Sequence, residues 1–398
     1  MKILLINKYL YPKGGAETYV FKLGAELTAM GHEVEYFGMY DEKNVVGNCA
    51  ESYTENIDFH KISVSYLTYP FKIIYSFKSR KRLRKVLDNF KPDIAHINNI
   101  NFQLTPSIIY EIKKDKIPVV YTAHDVQWVC PNHMLTNPKA MKLCRRCMEK
   151  GYINCTLNRC IHGSMLRSFL GTVEAGLYRI LHTYRLVDKI ICPSKFIENE
   201  LSANPDITGR TVVMHNFIED KKSDSGKKGG YALYFGRYSI EKGIRTLLKA
   251  AADLPEVKFI FAGGGELEKE VNSVLNIENV GFKSGQELND LIANADFSIL
   301  PSEWGENCPF SVMEAQTLRT PVIGAKIGGI PELIDDGVTG LLFESGSLED
   351  LKSKILMLHN DIDFCGKLSE NCGNIKYDKI EEYVSKLIKI YTDLLDGI

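Results

Sequence analysis

Two successive runs of alternating strand and helix signals, parted by a polar stretch at residues 219–230, constrain this chain more than any other feature. In the first run, residues 1–7 read as a buried strand, 16–30 as a helix stopped by Gly31, and 33–37 as the next strand. Further strands are predicted at 94–97, 119–123, 189–192 and 211–214. The pattern restarts at 231–235 and continues through 258–262, 280–282, 297–300 and 321–324. Alternation of this kind predicts parallel sheets covered by helices, hence two doubly wound α/β domains. A chain of 398 residues fits two such cores better than one. The Gly/Ser-bearing tract 219–230 is the expected exposed linker between domains 1–218 and 231–379. Residues 380–395 carry Tyr383, Val384, Leu387 and Tyr391 at helical spacing and predict a final amphipathic helix.

Charge is unevenly divided. Through Lys222 there are 31 Lys and Arg against 22 Asp and Glu, and beyond it 18 against 28. The basic half favours anionic surfaces or acceptors, and no nucleic-acid module accompanies it. The opening apolar run breaks at Asn7 and Lys8, too soon for a signal peptide, and no stretch is long enough to span a bilayer. A cytoplasmic protein is expected.

Three places carry chemistry. Gly236-Arg237-Tyr238-Ser239-Ile240-Glu241-Lys242-Gly243 follows the first strand of the second half, the position of a phosphate site, and offers two cations. Downstream, Pro301 stops a strand and a helical pattern begins near Pro309. This puts Glu306 on the connecting loop and Glu314 a turn or more into the helix, both toward the carboxyl end of the strand. Carboxylates beside free peptide N–H groups suit a polyhydroxylated ligand. In the first half, Gly14-Gly15 opens the first helix, where backbone can approach an anion, and His124-Asp125 ends a strand with an imidazole and a carboxylate. Gly263-Gly264-Gly265 lacks dinucleotide spacing and reads as a tight turn. No Asp-x-Asp stands at a strand end to hold a divalent ion.

The run 304–343, with Glu306 and Glu314 followed by Pro321-Val322-Ile323, Gly328-Gly329-Ile330-Pro331-Glu332 and Asp336-Gly337-Val338-Thr339-Gly340, resembles the E-x7-E region of the retaining family 4 glycosyltransferases. The resemblance implies a GT-B fold: two Rossmann-like domains facing a central cleft, with the last helix (about 380–398) crossing back to the N-terminal, acceptor-binding domain. It implies transfer from a nucleoside-diphosphate sugar, more often UDP- than GDP-linked, to a saccharide or lipid-linked acceptor in surface polysaccharide assembly. By the same likeness Arg237 and Lys242 hold the donor pyrophosphate without a metal. Glu306, with the N–H groups of Asn307 and Cys308, grips the donor sugar, and Glu314 binds the ribose. Backbone at Gly281, Phe282 and Lys283 meets the base. Gly14 and Gly15 face the diphosphate and the acceptor, and His124 contacts the transferred sugar. Pro309 leaves a smaller amide cradle than a glycine-bearing loop would have. No cofactor is required for catalysis. Rival readings are another GT-B enzyme such as a sugar-nucleotide epimerase, and a nonenzymatic nucleotide- or zinc-binding scaffold.

Two features stand outside that pattern. Cys144, Cys147, Cys155 and Cys160, in a Cys-rich insertion at about 128–163, have spacings a structural zinc can use; reduced thiols and a redox pair are the alternatives. Residues 71–85 mix aromatics with seven basic residues and no acid, the composition of a helix lying on an anionic membrane or of a solvated helix beside the sheet.

Overall fold

A computed structural model describes residues 1–56, 73–137, 142–219, 223 and 228–397. The chain divides into two compact units: residues 1–139, 144–215 and 380–398 form one, and residues 140–143 and 216–379 the other.

The first unit is built on six parallel strands, β1 (Lys2–Ile6), β2 (Glu33–Phe37), β3 (Ile94–Ile97), β4 (Val119–Thr122), β5 (Lys189–Cys192) and β6 (Thr211–Val213). Their order is β2-β1-β3-β4-β5-β6. Ile3, Leu4, Leu5 and Ile6 are all fully buried, as an apolar run without alternation requires when helices cover both faces of the sheet. Those helices include α1 (Gly15–Ala29), α2 (Phe77–Phe90) and α3 (Met165–Ile180). Ser76 caps α2, its Oγ accepting from Ser79 N at 3.1 Å. Residues 71 and 72 of the predicted basic helix lie outside the described residues. Its arginines do not form one free face: Arg80 pairs with Glu111 at 2.9 Å, and Arg84 with Asp88 at 2.8 Å and with Asp115. The Cys-rich insertion is anchored at its start, where Trp128 is core. The Trp128 ring stacks between Tyr121 and Tyr184 with centroids 4.0 and 4.1 Å away.

The second unit repeats the plan with β7 (Ala232–Arg237), β8 (Phe259–Gly264), β9 (Ile277–Gly281), β10 (Phe297–Leu300), β11 (Val322–Ala325) and β12 (Gly340–Phe343). All pairings are parallel, in the order β9-β8-β7-β10-β11-β12. The direction of winding reverses between β7 and β10, so the loops leaving their carboxyl ends diverge and open a crevice there. Helix α4 (Ile244–Asp253) follows β7 and α5 (Phe310–Thr317) follows β10. Two details differ from the predicted pattern. β9 starts at Ile277, three residues before the expected 280–282, because an edge strand with Glu278 and Asn279 does not show a core-like apolar run. β12 was not expected: Gly340 to Phe343 is short and sits directly on the Asp336–Gly340 turn.

Of the tract 219–230, residues 220–222 and 224–227 lie outside the described residues. What flanks and ends it is anchored. Ile218 N donates to Asp378 O at 3.0 Å, and Lys228 Nζ donates to the carbonyls of Ala295 and Ala293 at 2.8 and 3.1 Å.

The last helix, α6 (Ile380–Asp396), belongs to the first unit. It buries Tyr383, Val384, Leu387 and Tyr391 completely, each worth about 1.5–3 kcal/mol of transfer free energy before entropic costs. Its tyrosines reach a polar network inside that core. The Tyr383 and Tyr19 hydroxyls are 2.9 Å apart, Tyr391 meets His96 Nδ1 at 2.6 Å, and His96 Nε2 meets Thr122 Oγ1 at 2.7 Å. Burial pushes His96 down to about 3, so the ring is neutral, with one nitrogen donating and the other accepting.

Candidate active site

The turn leaving β7 places two cations at the crevice of the second sheet. Arg237 ends the strand, largely exposed, and its guanidinium donates to Glu241 Oε1 at 2.9 Å. Tyr238 anchors the turn in the core, its hydroxyl donating to Asn279 Oδ1 at 3.0 Å. Gly243 then turns the chain into α4 with φ of +69°, and a Cβ there would lie 1.8 Å from Pro301 O. This close approach brings the loop after β7 against the end of β10 and sets Lys242 beside Glu306. Gly243→Ala is therefore expected to cost at least about 3 kcal/mol, a fall in melting temperature of roughly 6 °C or more, measured by thermal unfolding.

After β10, Pro301 and Ser302 lead to Glu306, which is buried. Lys242 Nζ donates to Glu306 Oε1 at 2.6 Å, and Ser302 Oγ donates to the same oxygen at 2.6 Å. The ammonium also lies 5.3 Å from the centroid of the Trp304 ring. Burial pushes the Glu306 carboxyl up, but the Lys242 charge and the hydrogen bonds from Lys242 and Ser302 more than reverse this and hold it below the usual range. Backbone supports the arrangement from the other side. Gly329 N donates to Glu306 O at 2.7 Å, and Gly328 has φ of +64° with no room for a Cβ, which would meet Glu306 O at 2.3 Å. The result is a carboxylate fixed in one place and ionised at neutral pH, with an ammonium that keeps two further N–H donors.

Glu314 stands half-buried in the second turn of α5, one loop away. Cys308 is buried; its carbonyl accepts from Asn216 Nδ2 at 3.0 Å, and burial pushes its thiol up to about 12. Asn307 lies between it and Glu306. Gly281, with φ of +69°, ends β9, and its N–H donates to Asn279 Oδ1 at 3.1 Å. Phe282 is 82% exposed and Lys283 pairs with Glu287 at 3.4 Å. Tyr238 also bonds Asn279, so the segment 281–283 is joined to the Arg237–Lys242 turn through one side chain. The sequence assigns no separate role to Ser302, Trp304 or Gly328. The Gly328-Gly329 pair was a readable signal; Ser302 and Trp304 had none beyond proximity to Glu306.

In the first unit, His124 follows β4. Its Nε2 donates to Asn98 Oδ1 at 2.8 Å, and its ring packs edge-on to Tyr19 with centroids 5.0 Å apart. Burial holds it down to about 4, against the opposing pull of Asp125, so the imidazole is neutral. Asp125 Oδ1 accepts from Gln127 N at 2.9 Å, closing a local Asx turn. Gly14 is the N-cap of α1 in extended conformation and Gly15 its first residue. The first turn of α1 holds the buried Glu17, whose Oε1 accepts from Asn7 Nδ2 at 3.2 Å. A carboxyl group thus already occupies the positive end of that helix.

The cysteines are close but do not form a ligand set. Among the described residues no three His, Cys, Asp or Glu side chains converge to hold a metal ion, and all ten cysteines are free. The Cys155 thiol hydrogen-bonds the Cys160 sulfur, which raises Cys155 and lowers Cys160. Burial, then the neighbouring Cys160 and Cys144, pushes Cys147 up to about 11. The expected structural zinc at Cys144, Cys147, Cys155 and Cys160 thus finds no converging ligand set among the described residues.

Comparison with known proteins adds the following. A family model described as Glycosyltransferase Family 4 matches residues 13–222, more than half of the 398 residues, and one described as Glycosyl transferases group 1 matches residues 216–378. The chain is similar to an uncharacterized glycosyltransferase of Methanocaldococcus jannaschii, 30% identical over 243 residues that make up 59% of this chain and 68% of that one. It is also similar to an uncharacterized 42.6 kDa protein from the cps region of Klebsiella pneumoniae, 24% identical over 367 residues, 84% of this chain and 87% of that one. Among solved structures, Anabaena HepE in complex with UDP matches with a TM-score of 0.71 and 18% identity over 99% of this chain and 100% of that one. The two Rossmann-like sheets are those of a GT-B protein.

Proposed function

This chain belongs to Glycosyltransferase Family 4, and we propose that it is a retaining, metal-independent hexosyltransferase that moves a sugar from a UDP-sugar to a saccharide or lipid-linked acceptor in surface polysaccharide assembly. The observation that carries this reading is the Lys242–Glu306–Ser302 cluster, standing with Arg237 at the point where the winding of the second sheet reverses.

Each residue has a role that its chemistry supports. Arg237 and Lys242 take the pyrophosphate, and Lys242 meets phosphate with the donors that Glu306 leaves unused. Glu306, held ionised, accepts from hydroxyls of the donor sugar beside the peptides of Asn307 and Cys308. Glu314 accepts from the ribose, and segment 281–283 lies against the base. For the first unit the resemblance gives neutral His124 the transferred sugar, and Gly14 and Gly15 the diphosphate and the acceptor. The acceptor oxygen bonds to the anomeric carbon on the face from which the diphosphate leaves. The anomeric C–O bond to phosphate breaks, and the acceptor's proton passes to a phosphate oxygen. The negative charge that builds on the leaving group is met by Arg237 and Lys242 in place of a divalent ion.

UDP is favoured because the similar HepE is a UDP complex, and polysaccharide assembly because a relative lies in a cps region. No helix among the described residues is long and apolar enough to cross a membrane, and we place the reaction at the cytoplasmic face with the chain peripheral to it. Thermal unfolding with UDP, GDP, ADP and NAD tests the reading. UDP at about 100 times its dissociation constant is expected to add roughly 2.7 kcal/mol, lost in Glu314→Ala. Stabilisation by NAD alone would refute it in favour of a dehydrogenase or scaffold.

A further inference from the structure

Helix α3 inverts the pattern of a surface helix. Its one acid, Glu174, points inward with Ser168, Gly171, Ala175 and Tyr178, and Glu174 Oε1 accepts from Asn101 Nδ2 at 3.2 Å. Outward it turns Met165, Leu166, Phe169, Val173 and Ile180, exposed by 53, 61, 48, 36 and 77%. At 3.6 residues per turn these five fall within one arc of about 100°. Ile153 and Leu157, on the short helix Ile153–Leu157 packed beside it, add 50 and 64% exposed apolar side chains. A helix on the surface of a soluble domain needs one apolar stripe, toward its core; a second, facing out over some four turns, is a patch that something else covers.

The surrounding charge identifies the cover. Between Lys142 and Arg185 the chain has eight Lys and Arg against two acids, Glu149 and the buried Glu174. Arg145 and Arg185 are paired with Glu200 and Asp206. Arg146, Lys150, Arg159, Arg167 and Arg179 have no acid in ion-pair reach among the described residues. A second copy of the chain fits poorly, since a two-fold contact sets this patch against itself, positive on positive, with no exposed acid on α3 to answer it. An anionic bilayer answers both features.

We propose that the outer face of α3 is a membrane-docking surface, its apolar side chains entering the boundary of headgroups and acyl chains while the flanking arginines meet lipid phosphates. Tyr178, on the inward side of α3, donates from Oη to Ile74 O at 2.6 Å, so the segment leading into α2 meets α3 on its buried side. The apolar contact is thereby assigned to α3 rather than to residues 71–85. It deepens the reading above, in that a lipid-linked acceptor is met at such a surface.

The full chain, sedimented with vesicles of phosphatidylglycerol and phosphatidylethanolamine, is expected to bind, and to bind at least about tenfold more weakly to phosphatidylcholine vesicles. The pair Leu166→Ser and Phe169→Ser, and separately Ile153→Ser and Leu157→Ser, should each weaken binding at least about tenfold at an unchanged melting temperature. Wild-type binding by both variants, or no binding by the unaltered chain, overturns the proposal. So does a dimer in light scattering that the variants convert to monomer, which hands the face to a second copy. UDP binding, read in the same samples, reports separately on the donor site.

Discussion

Glu306→Gln is expected to lower sugar transfer by about a thousandfold or more while UDP affinity stays within about threefold. The substitution keeps the shape of the side chain and removes the charge that strengthens its bonds to sugar hydroxyls, a loss of about 3–4 kcal/mol when the group acts mainly in the transition state. Because Glu306 also holds Lys242 at 2.6 Å, a fall in melting temperature accompanies the kinetic loss. The two effects separate by measurement. If Glu306 only braces Lys242, the variant melts earlier and binds UDP more weakly at unchanged turnover; if it grips the sugar, turnover falls and UDP binding holds. Initial rates at saturating donor beside calorimetric UDP titration distinguish these outcomes.

Lys242→Met has the second large effect, in affinity and in pH dependence. Loss of an ammonium from the pyrophosphate should weaken UDP binding roughly 10- to 100-fold. Removing one member of a pair whose carboxylate is only 7% exposed should also cost about 3 kcal/mol of stability. In the unaltered chain the Glu306 carboxyl is held below its ordinary value, so its contribution is present above pH about 4.5 and is lost as pH falls through the lowered value. Without Lys242, burial dominates and raises the carboxyl, so the penalty grows as pH rises through that raised value. The gap in melting temperature between the two proteins should therefore be wide at pH 7 and narrow toward pH 4. A gap that stays constant over that range contradicts the pairing.

Much of this could be read from the sequence because its signals are local. Residues 3–6 are apolar throughout and Phe297–Leu300 is broken only by Ser298, and the loops after β7 and β10 carry their cations and carboxylates within a few residues of a strand end. What could not be read depends on contacts distant in sequence. Nothing near Lys242 shows that its ammonium lies on Glu306, 64 positions away, or that Gly243 must be glycine because Pro301 O is there. The short strand Gly340–Phe343 is hidden in a turn motif, and β9 carries Glu278 and Asn279 near its start because it is an edge. The cysteine spacing is legible, but whether helices Arg146–Lys150 and Ile153–Leu157 aim their thiols at one point depends on packing that intervals in the sequence do not carry. The outer stripe of α3 carries no such signal, since in sequence a helix apolar on two sides does not differ from one buried on both.

The most direct test follows UDP-linked α-glucose, α-galactose and α-N-acetylglucosamine by proton NMR with the protein in excess chelator. A retaining donor site built on Arg237, Lys242 and Glu306 predicts slow release of UDP with the α-anomer formed first from one of these donors, absent in Glu306→Gln. First formation of the β-anomer, or release that Glu306→Gln leaves untouched, would contradict it.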